Sequence, residues 1–372
     1  MSATRLAIAT PSTSVYSETF IAAHLKELKE VVLVLSDGMP PRLANGRPLY
    51  ESGDARTRLR LKLEQRLRGW DTRTVQHQRL VELLKAERVQ VLLAEYGPMG
   101  HALVDACRDA AVPLVVHFHG YDAHMHSIAE AAGGYRRMLD AAVAVVVVSR
   151  GMETRLLQLG AAKERLHYNC YGIDLQRFTA ADPDKAPPHF LAVGRFVEKK
   201  APHLLILAFA QVAARHPEAR LTIVGDGALF GACQQLVNAL GLGAQVDLTG
   251  PLDPDEVAAL FRRSRAFVQH SVEAPSGDRE GTPLAVLESM ACGVPVVATR
   301  HAGIGDVVEH EVSGLLSAEH DIEGMARNME RMLAEQGLAG RLGAAGRACA
   351  ERDHVLDGSI AGLQRILDRV SK

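Results

Sequence analysis

The chain has 372 residues, longer than the ~250–300 residues at which a single hydrophobic core stops growing, so two domains are expected. Hydrophobic residues make up 47% and charged residues 23% of the sequence, a composition that argues against intrinsic disorder and coiled coil. Lysine plus arginine (42) nearly balance aspartate plus glutamate (44), so no overall field attracts nucleic acid and no such partner is predicted.

The cysteines and apolar segments bear on location. Five cysteines stand far apart without a Cys-x-x-Cys pair, which is typical of buried thiols in a reducing cytosol. The first ten residues lack the features of a signal peptide, and the longest apolar run, 141–148, is far shorter than the ~20 residues that a membrane helix needs. A cytoplasmic location is therefore expected.

Short apolar runs alternate with helical patterns in the first half of the chain, as in βαβ units around a parallel sheet. The predicted strands are 5–9, 31–35, 89–94, 113–118 and 143–148. Each is followed by a helical or irregular stretch. We expect an N-terminal Rossmann-like domain over residues 1–174.

A stretch without periodicity follows. Residues 175–188 contain two aspartates and three prolines, which predicts an interdomain linker. The alternation then restarts with strands 189–193, 220–224, 245–248, 266–269 and 295–298, and with helices such as 203–215 and 229–240. This pattern predicts a second Rossmann-like domain over 189–353, followed by a C-terminal helix, 354–372, for which a return to the first domain is a hypothesis. Ligands of such doubly wound α/β domains bind at the carboxyl ends of the strands, so a cleft between the two domains is the expected site.

The segment around residue 280 is the richest in chemistry. A loop of Gly, Ser and Asp leads to Thr282, a suitable N-cap, and Pro283, a suitable first helical residue, so a helix is predicted to begin there. Its N-terminal N–H groups suit a diphosphate without a metal. Glu280 lies just before this helix, and Glu288 lies about two turns along it, where a carboxylate suits two ribose hydroxyls. Taken alone, the two glutamates are also consistent with solvated surface charges.

The run 280–288, Glu-Gly-Thr-Pro-Leu-Ala-Val-Leu-Glu, resembles the Glu-x7-Glu signature of the family 4 glycosyltransferases of GT-B fold. The runs 17–21, 118–122, 276–283, 296–303 and 312–316 are similar to bacterial exopolysaccharide glycosyltransferases of the colanic acid type. The resemblance covers nearly the whole chain and is weakest over 40–70 and beyond 341. It implies two Rossmann-like domains facing a central cleft, the first on the acceptor side and the second binding a nucleoside-diphosphate sugar.

The resemblance implies donor-binding residues in the second domain. Arg195 and Lys200 match the arginine and lysine that hold the diphosphate, and two cations suit a leaving pyrophosphate where no metal helps. Lys199 is an alternative to Lys200, and a solvated basic turn is an alternative to both. Gly250 and Leu252 are implied to lie beside the base. The other implied nucleotide-binding positions are Gly194, Gly281, Thr282, Pro283, Leu284 and Glu288.

Four histidines, His117, His119, His124 and His126, lie close together in the first domain without an evident carboxylate or cysteine pattern, so no metal is predicted. The resemblance implies that His119 faces the donor sugar, with Asp122 close by as a further binding residue. His117 is expected to pack beneath His119. An imidazole in this place suits contact with the sugar or acceptor, while a general-base role is not established.

Residues 56–70 combine basic and apolar side chains. Leu59, Leu63, Leu67 and Trp70 share one helical face, among basic residues that begin at Arg56. Such a helix suits peripheral contact with anionic lipid, which would place the protein at the inner face of the membrane. A core-facing helix with a solvated basic side explains the same pattern, so membrane contact stands as a hypothesis.

The resemblance implies a retaining, metal-independent, hexosyl-type glycosyltransferase without a cofactor. It would move sugar from a nucleoside-diphosphate sugar to a saccharide or lipid-linked saccharide acceptor, in exopolysaccharide or glycoconjugate biosynthesis. The implied catalytic-site residues are Glu280, His119, Arg195 and Lys200, of which Glu280 positions and stabilises the sugar. A GT-B-fold nucleotide-sugar epimerase and a non-catalytic nucleotide-sugar-binding protein are the alternatives.

Overall fold

The computed structural model describes residues 4–13, 18–49 and 69–371. The chain divides into two units, each described by itself. The first comprises Met1–Val148, Met152–Asn169 and Ile360–Lys372, and the second comprises Ser149–Gly151 and Cys170–Ser359. Most of the stretch from 56 to 70, on which the hypothesis of membrane contact depends, lies outside the described residues.

The first unit is built on one sheet, which has eight strands within the described residues. They are β1 Leu6–Ala9, β2 Val31–Ser36, β3 Leu43–Ala44, β4 Arg47–Pro48, β5 Val91–Glu95, β6 Leu114–His117, β7 Ala144–Val147 and β8 Leu166–Tyr168. Their order is β4-β3-β2-β1-β5-β6-β7-β8, and all neighbours are parallel except the antiparallel pairs β2–β3 and β3–β4. The central strands β1, β5, β6 and β7 are buried along their whole length, as in a sheet covered on both faces.

Helices connect these strands. They are α1 Thr19–Glu27, α2 Thr72–Ala86, α3 Gly97–Ala110, α4 Tyr121–His124, α5 His126–Ala131, α6 Arg136–Ala141 and α7 Arg150–Gln158. The helix α2 begins where the Asp71 carboxylate accepts a hydrogen bond from the Thr74 backbone N–H, at 2.7 Å. The connection of β5 to β6 through α3 is what brings the carboxyl ends of these two parallel strands side by side.

The second unit has a six-stranded sheet, again counted within the described residues, in the order β11-β10-β9-β12-β13-β14 with every pair parallel. Its strands are β9 His189–Val193, β10 Arg220–Val224, β11 Val246–Gly250, β12 Ala266–Gln269, β13 Val296–Thr299 and β14 Gly314–Ser317. Its helices are α8 Pro202–Arg215, α9 Phe230–Ala239, α10 Pro254–Phe261, α11 Leu284–Ala291, α12 Ile304–Val307, α13 Ile322–Ala334, α14 Leu338–Asp353 and α15 Leu356–Val370, of which α15 ends in the first unit.

Each unit has its own hydrophobic core. In the second unit, side chains of the sheet pack against α8, α9, α13 and α14, around Phe190, Phe209 and Met329. In the first unit, Leu363 and Leu367 of α15 belong to the core that contains Leu6 and Ile8 of β1. The chain therefore ends in the unit in which it begins.

The boundary between the units differs from the predicted one. It lies after Asn169 rather than after residue 174, because Ile173 exchanges backbone hydrogen bonds with His354 and Leu356 of the second unit. The stretch predicted as a linker also packs there: Phe178 is buried, and Asp184 accepts a hydrogen bond from the Gly340 N–H at 2.9 Å. Aspartate and proline therefore mark a packed irregular segment here rather than a free tether.

The ten predicted strands are all present, with ends displaced by at most two residues. The strands that the pattern did not predict are β3, β4, β8 and β14. Three of them, β3, β4 and β8, have only two or three residues, too few to show periodicity. Among the helices of the described residues, none is long and apolar enough to cross a membrane.

Candidate active site

Main-chain groups line the carboxyl edge of the second sheet. Gly194 follows β9, Gly225 follows β10 and Gly250 ends β11. The Gly225 N–H donates to the Gly250 carbonyl at 2.9 Å, and a Cβ added at Gly225 would lie 2.1 Å from the Gly194 carbonyl oxygen. With a φ of +133°, Gly225 also adopts a conformation that L side chains rarely take. Glycine at position 225 therefore allows the turn after β10 to lie close against the turn after β9.

Two neighbouring lysines make different ion pairs beside this edge. The Lys200 Nζ lies 3.2 Å from Glu280 Oε1 and donates to Gln269 Oε1 at 3.3 Å. The Lys199 Nζ instead contacts Asp278 Oδ1 at 3.0 Å and the Arg279 carbonyl at 3.2 Å. Of the two candidates left open by the sequence, Lys200 is thus the one at Glu280, while Lys199 ties down the loop that precedes it.

Glu280 is buried, with an exposed fraction of 6%. Burial raises the pKa of its carboxyl group, but Lys200, Lys199 and His301 together outweigh burial and lower the pKa below its ordinary value. Its backbone N–H donates to His301 Nε2 at 3.2 Å, while His301 Nδ1 lies 2.7 Å from Glu319 Oε1. Glu280 is therefore held as a carboxylate by its side chain and in place by its backbone.

The loop from Glu280 to the following helix differs in detail from the prediction. The helix α11 begins at Leu284, with Pro283 as its N-cap and no side-chain capping hydrogen bond, so Thr282 is not the N-cap and Pro283 is not the first helical residue. The loop is held at Gly281, whose carbonyl accepts a hydrogen bond from the Gly303 N–H at 3.0 Å. A Cβ at Gly303 would lie 2.1 Å from that oxygen, so only glycine fits.

Glu288 lies on α11 in a different electrostatic environment. Burial raises the pKa of its carboxyl group and the charges of Lys200 and Arg177 offset part of the rise, which leaves the pKa at about 7. Glu280 and Glu288 thus belong to one sequence element but differ in protonation near neutral pH. A carboxyl group at this position that accepts hydrogen bonds from ribose hydroxyls would become ionised as the pH rises through about 7.

Arg195 and Leu252 lie at the same edge. Arg195 is exposed, follows Gly194, and makes no ion pair with any residue that the structure describes. Burial lowers the pKa of Lys200, the Glu280 charge opposes this, and the positive charges of Lys199 and Arg195 add to the lowering. The edge thus gathers positive charge, with Arg195 facing solvent, as binding of a diphosphate requires. Leu252 is half-buried just beyond Gly250.

In the first unit, His119 belongs to a buried cluster of imidazoles around one carboxylate. Its Nε2 lies 2.7 Å from Glu95 Oε2, and His24 Nδ1 lies 2.8 Å from Glu95 Oε1. Burial raises the pKa of Glu95, but the adjacent His24 and His119 outweigh it and hold the pKa well below its usual range. Glu95 is therefore a buried carboxylate that accepts from two imidazole N–H groups.

Asp122 lies beneath His119 and is fully buried. Its Oδ1 accepts from the backbone N–H groups of His119 and Gly120 at 3.0 and 2.9 Å, and its Oδ2 accepts from the Gly97 N–H at 3.0 Å. Its carboxylate is engaged by three backbone donors, and binding of substrate by Asp122 stays a prediction. It holds the loop that carries His119.

One group within the described residues has the chemistry of a metal site. His24, Glu95 and His117 bring ligand atoms within 4.8 Å of one another, and His117 Nδ1 lies 3.6 Å from Glu95 Oε2. The argument that no carboxylate accompanies the histidines is therefore wrong, whereas the absence of a metal stays a prediction. Burial, and then the charge of His119, lower the pKa of His117 well below its ordinary value, which keeps it neutral.

Sequence reasoning missed Glu95 and His24. The predicted strand stopped at residue 94, although a lone carboxylate at the end of an apolar strand was a usable signal. Tyr96, which follows, has φ 75° and ψ 142°. Residues with a side chain rarely adopt this backbone conformation, which costs about 1–3 kcal/mol. His24 gave no such signal, because one histidine on a helix is ordinary.

Comparison with known proteins identifies the family. The model named Glycosyl transferases group 1 matches residues 176–348, and the model named Glycosyl transferase 4-like domain matches residues 19–172, so that the two together match most of the chain. The chain belongs to the glycosyltransferases. The predicted family resemblance is thereby confirmed.

Among the relatives of this glycosyltransferase, the colanic acid biosynthesis protein WcaL of Escherichia coli is 30% identical over 65% of this chain and 61% of its own length. The amylovoran biosynthesis glycosyltransferase AmsK of Erwinia amylovora is 28% identical over 76% of this chain and 70% of its own length. The chain thus matches less than two thirds of WcaL.

Solved structures confirm the predicted fold class. HepE of Anabaena, in complex with UDP and glucose, superposes with a TM-score of 0.77 at 18% identity, over 98% of this chain and 99% of that protein. Sucrose-phosphate synthase of Thermosynechococcus elongatus gives a TM-score of 0.74 at 19% identity, over 99% of both chains. The fold is that of the GT-B glycosyltransferases. A cleft between the two domains stays a prediction.

Proposed function

We propose that this glycosyltransferase transfers a hexosyl group from a nucleoside-diphosphate sugar to an acceptor hydroxyl, in exopolysaccharide or glycoconjugate biosynthesis. The observation that carries the proposal is the buried ion pair of Lys200 and Glu280 at 3.2 Å, beside the glycine-lined edge of the second sheet. The names of the relatives, colanic acid and amylovoran biosynthesis glycosyltransferases, support the biosynthetic context. The complex of HepE with UDP and glucose supports a nucleotide-sugar donor.

Positive charge provides the chemistry for the leaving group. As the bond between the anomeric carbon and the phosphate oxygen breaks, Arg195 and Lys200 stabilise the charge that develops on the diphosphate. The N-terminus of α11 adds backbone N–H groups to the same task. We propose that these groups act without a metal ion and that the enzyme is a retaining member of family 4.

Glu280 supplies negative charge where the sugar becomes positive. Its lowered pKa keeps it ionised at neutral pH, which suits electrostatic stabilisation of an oxocarbenium-like anomeric carbon and not proton donation. The acceptor oxygen forms the new bond to the anomeric carbon on the face from which the phosphate departs. Its proton passes to the departing phosphate oxygen, so that configuration is retained and no covalent enzyme intermediate is needed.

The partners proposed for the reaction follow from this chemistry. Glu288 binds the ribose, Gly250 and Leu252 lie beside the base, and the loop 281–284 faces the diphosphate. The acceptor is a saccharide or a lipid-linked saccharide, and His119 serves the sugar or the acceptor. We further propose a cytoplasmic location, with residues 56–70 as a peripheral contact to the inner face of the membrane, and no nucleic-acid partner.

A donor screen tests the proposal. Purified protein is incubated with UDP-, GDP-, ADP- and dTDP-sugars in the presence of EDTA, with lipid and oligosaccharide acceptors, and nucleotide release is followed. Release that depends on one donor and on an acceptor supports metal-independent transfer, and NMR of the product reports the anomeric configuration. Conversion to an isomeric nucleotide sugar without an acceptor would indicate an epimerase instead. Donor binding without turnover on any acceptor would contradict the enzymatic proposal.

A further inference from the structure

The buried cluster in the first unit offers more than the position of His119. Glu95 is completely buried, and both of its oxygens are engaged by imidazole nitrogens, His24 at 2.8 Å and His119 at 2.7 Å. A carboxylate in this position cannot itself meet a sugar. Any effect that it has on a bound ligand must pass through a side chain that contacts it.

His119 is restrained from several directions. Phe20 stacks on its ring with centroids 4.4 Å apart, and the Tyr96 ring meets it edge-on at 4.7 Å. Asp122 holds its backbone N–H at 3.0 Å. The contact of Nε2 with Glu95 further limits the rotation of the ring and the choice of the nitrogen that carries the proton.

The contact with Glu95 determines which ring nitrogen of His119 carries a proton. An ionised carboxylate only accepts hydrogen bonds, so the nitrogen that faces it, Nε2 of His119, must carry hydrogen. The Nδ1 atom is then the nitrogen through which the ring meets any other partner. On the other oxygen of Glu95, Nδ1 of His24 must carry hydrogen by the same argument.

Stability alone does not account for this arrangement. A buried carboxylate with polar partners is commonly no more stabilising than apolar side chains of the same shape, because each polar group loses its hydration. The turn that follows Glu95 is also strained at Tyr96, whose N–H donates to the His117 carbonyl at 2.8 Å. Costly features of this kind gather at functional sites.

We propose that Glu95 is the positioning residue of His119: its carboxylate fixes the ring and the Nε2–H tautomer of His119, with His24 as the counter-donor that keeps Glu95 aligned. The inference rests on the proposed function in so far as His119 serves the transfer reaction. It extends that function by a residue buried in the first unit that acts only through another side chain.

The kinetic test compares Glu95→Gln, His119→Asn and the double variant. Glutamine keeps the shape of Glu95 but turns one oxygen into an N–H donor that opposes an imidazole N–H. We expect Glu95→Gln to lower kcat by about 10–100-fold, with the KM for the donor within about twofold of the original protein. Because the two residues act as one unit, the double variant should be no slower than His119→Asn. Multiplicative losses in the double variant, or unchanged kcat in Glu95→Gln, would overturn the proposal.

The matched control is a second histidine–carboxylate pair in the same unit. His77 Nε2 lies 2.8 Å from Asp109 Oδ2 at a partly exposed position away from the cluster. Asp109→Asn should leave kcat unchanged. Glu95→Asp, which keeps the charge but shortens the side chain, should recover part of the activity if Glu95→Gln folds poorly.

A spectroscopic test works without turnover. Nitrogen-15 NMR of histidine-labelled protein reports which ring nitrogen carries the proton, and we expect the Nε2–H form for His119 in the original protein and a mixture of tautomers in Glu95→Gln. If no donor is turned over but the Nε2–H signature depends on Glu95, the proposed function fails and the positioning holds. An Nδ1–H form of His119, or one equivalent of zinc retained after dialysis against EDTA, would refute the hydrogen-bonded arrangement.

Discussion

The two units each contain a buried carboxylate with a lowered pKa, but they hold it charged by different means. Glu280 is paired with the ammonium group of Lys200, whereas Glu95 is surrounded by the imidazoles of His24 and His119. A lysine carries charge and acts over distance; a histidine donates from one nitrogen in a fixed direction. The difference agrees with the two proposed roles, charge for Glu280 in the second unit and orientation of His119 for Glu95 in the first.

The largest effect is expected from neutralising Glu280. Glu280→Gln removes the charge that stabilises the anomeric carbon, and we expect kcat to fall by about 10³-fold. Steady-state kinetics with the identified donor checks this. The control is Glu273→Gln, because Glu273 pairs with Arg279 in the same loop at a partly exposed position. Equal losses in both variants would remove the special role of Glu280.

The two lysines allow a sharper test of charge against structure. Lys200→Met should lower kcat by about 10²-fold, since it removes a cation at the leaving group and leaves Glu280 without its ion pair. Lys199→Met removes the contacts to Asp278 and to the Arg279 carbonyl. It leaves the ion pair of Lys200 with Glu280 in place, so we expect less than about tenfold loss. Steady-state kinetics with the same donor, measured for both variants, compares their kcat values. A greater loss in Lys199→Met would reverse the assignment.

In the first unit, Asp122 allows a test of a carboxylate whose role is to stabilise the fold. Asp122→Asn places an amide N–H against one of three backbone donors, and the free energy of unfolding should fall by about 2 kcal/mol. Urea denaturation measures this fall. Asp174→Asn is the control, because Asp174 also accepts from backbone N–H groups but is exposed, and it should cost no more than about 0.5 kcal/mol. Similar losses in both would show that burial of Asp122 adds nothing.

The smallest effect concerns Glu288, whose pKa is raised and not lowered. Its folded-state value of about 7 exceeds the ordinary value of 4.5, so the folded protein binds the proton more tightly than the unfolded chain. The contribution of Glu288 to the free energy of unfolding is complete below pH 4.5 and is lost as the pH rises to about 7. After allowance for solvent screening, the loss is on the order of 1 kcal/mol. Denaturation curves of the original protein and Glu288→Gln should therefore diverge between these pH values. Parallel curves would contradict the raised pKa.

Much of the second unit was readable from its sequence. The apolar runs predicted its first five strands, and the run from Glu280 to Glu288 indicated its candidate site. Choosing between Lys199 and Lys200 required the structure, because adjacent side chains on a short 3₁₀ turn point in different directions. The helix start at Leu284 also differed, since the contact of Gly281 with Gly303 holds the preceding loop in a non-helical conformation.

The amino-acid sequence by itself determined the alternation of strands and helices, the two α/β domains and the site motif of the second, because these depend on periodicity and on neighbours along the chain. Only the tertiary structure brought Glu95 together with His24 and His119, which lie 71 and 24 positions away. Their meeting depends on strand order: β5 pairs with β6 so that Glu95 lies opposite His117, and α1 packs His24 against the same strand end. Contacts of this kind are set by the sheet, and no local pattern of residues encodes them.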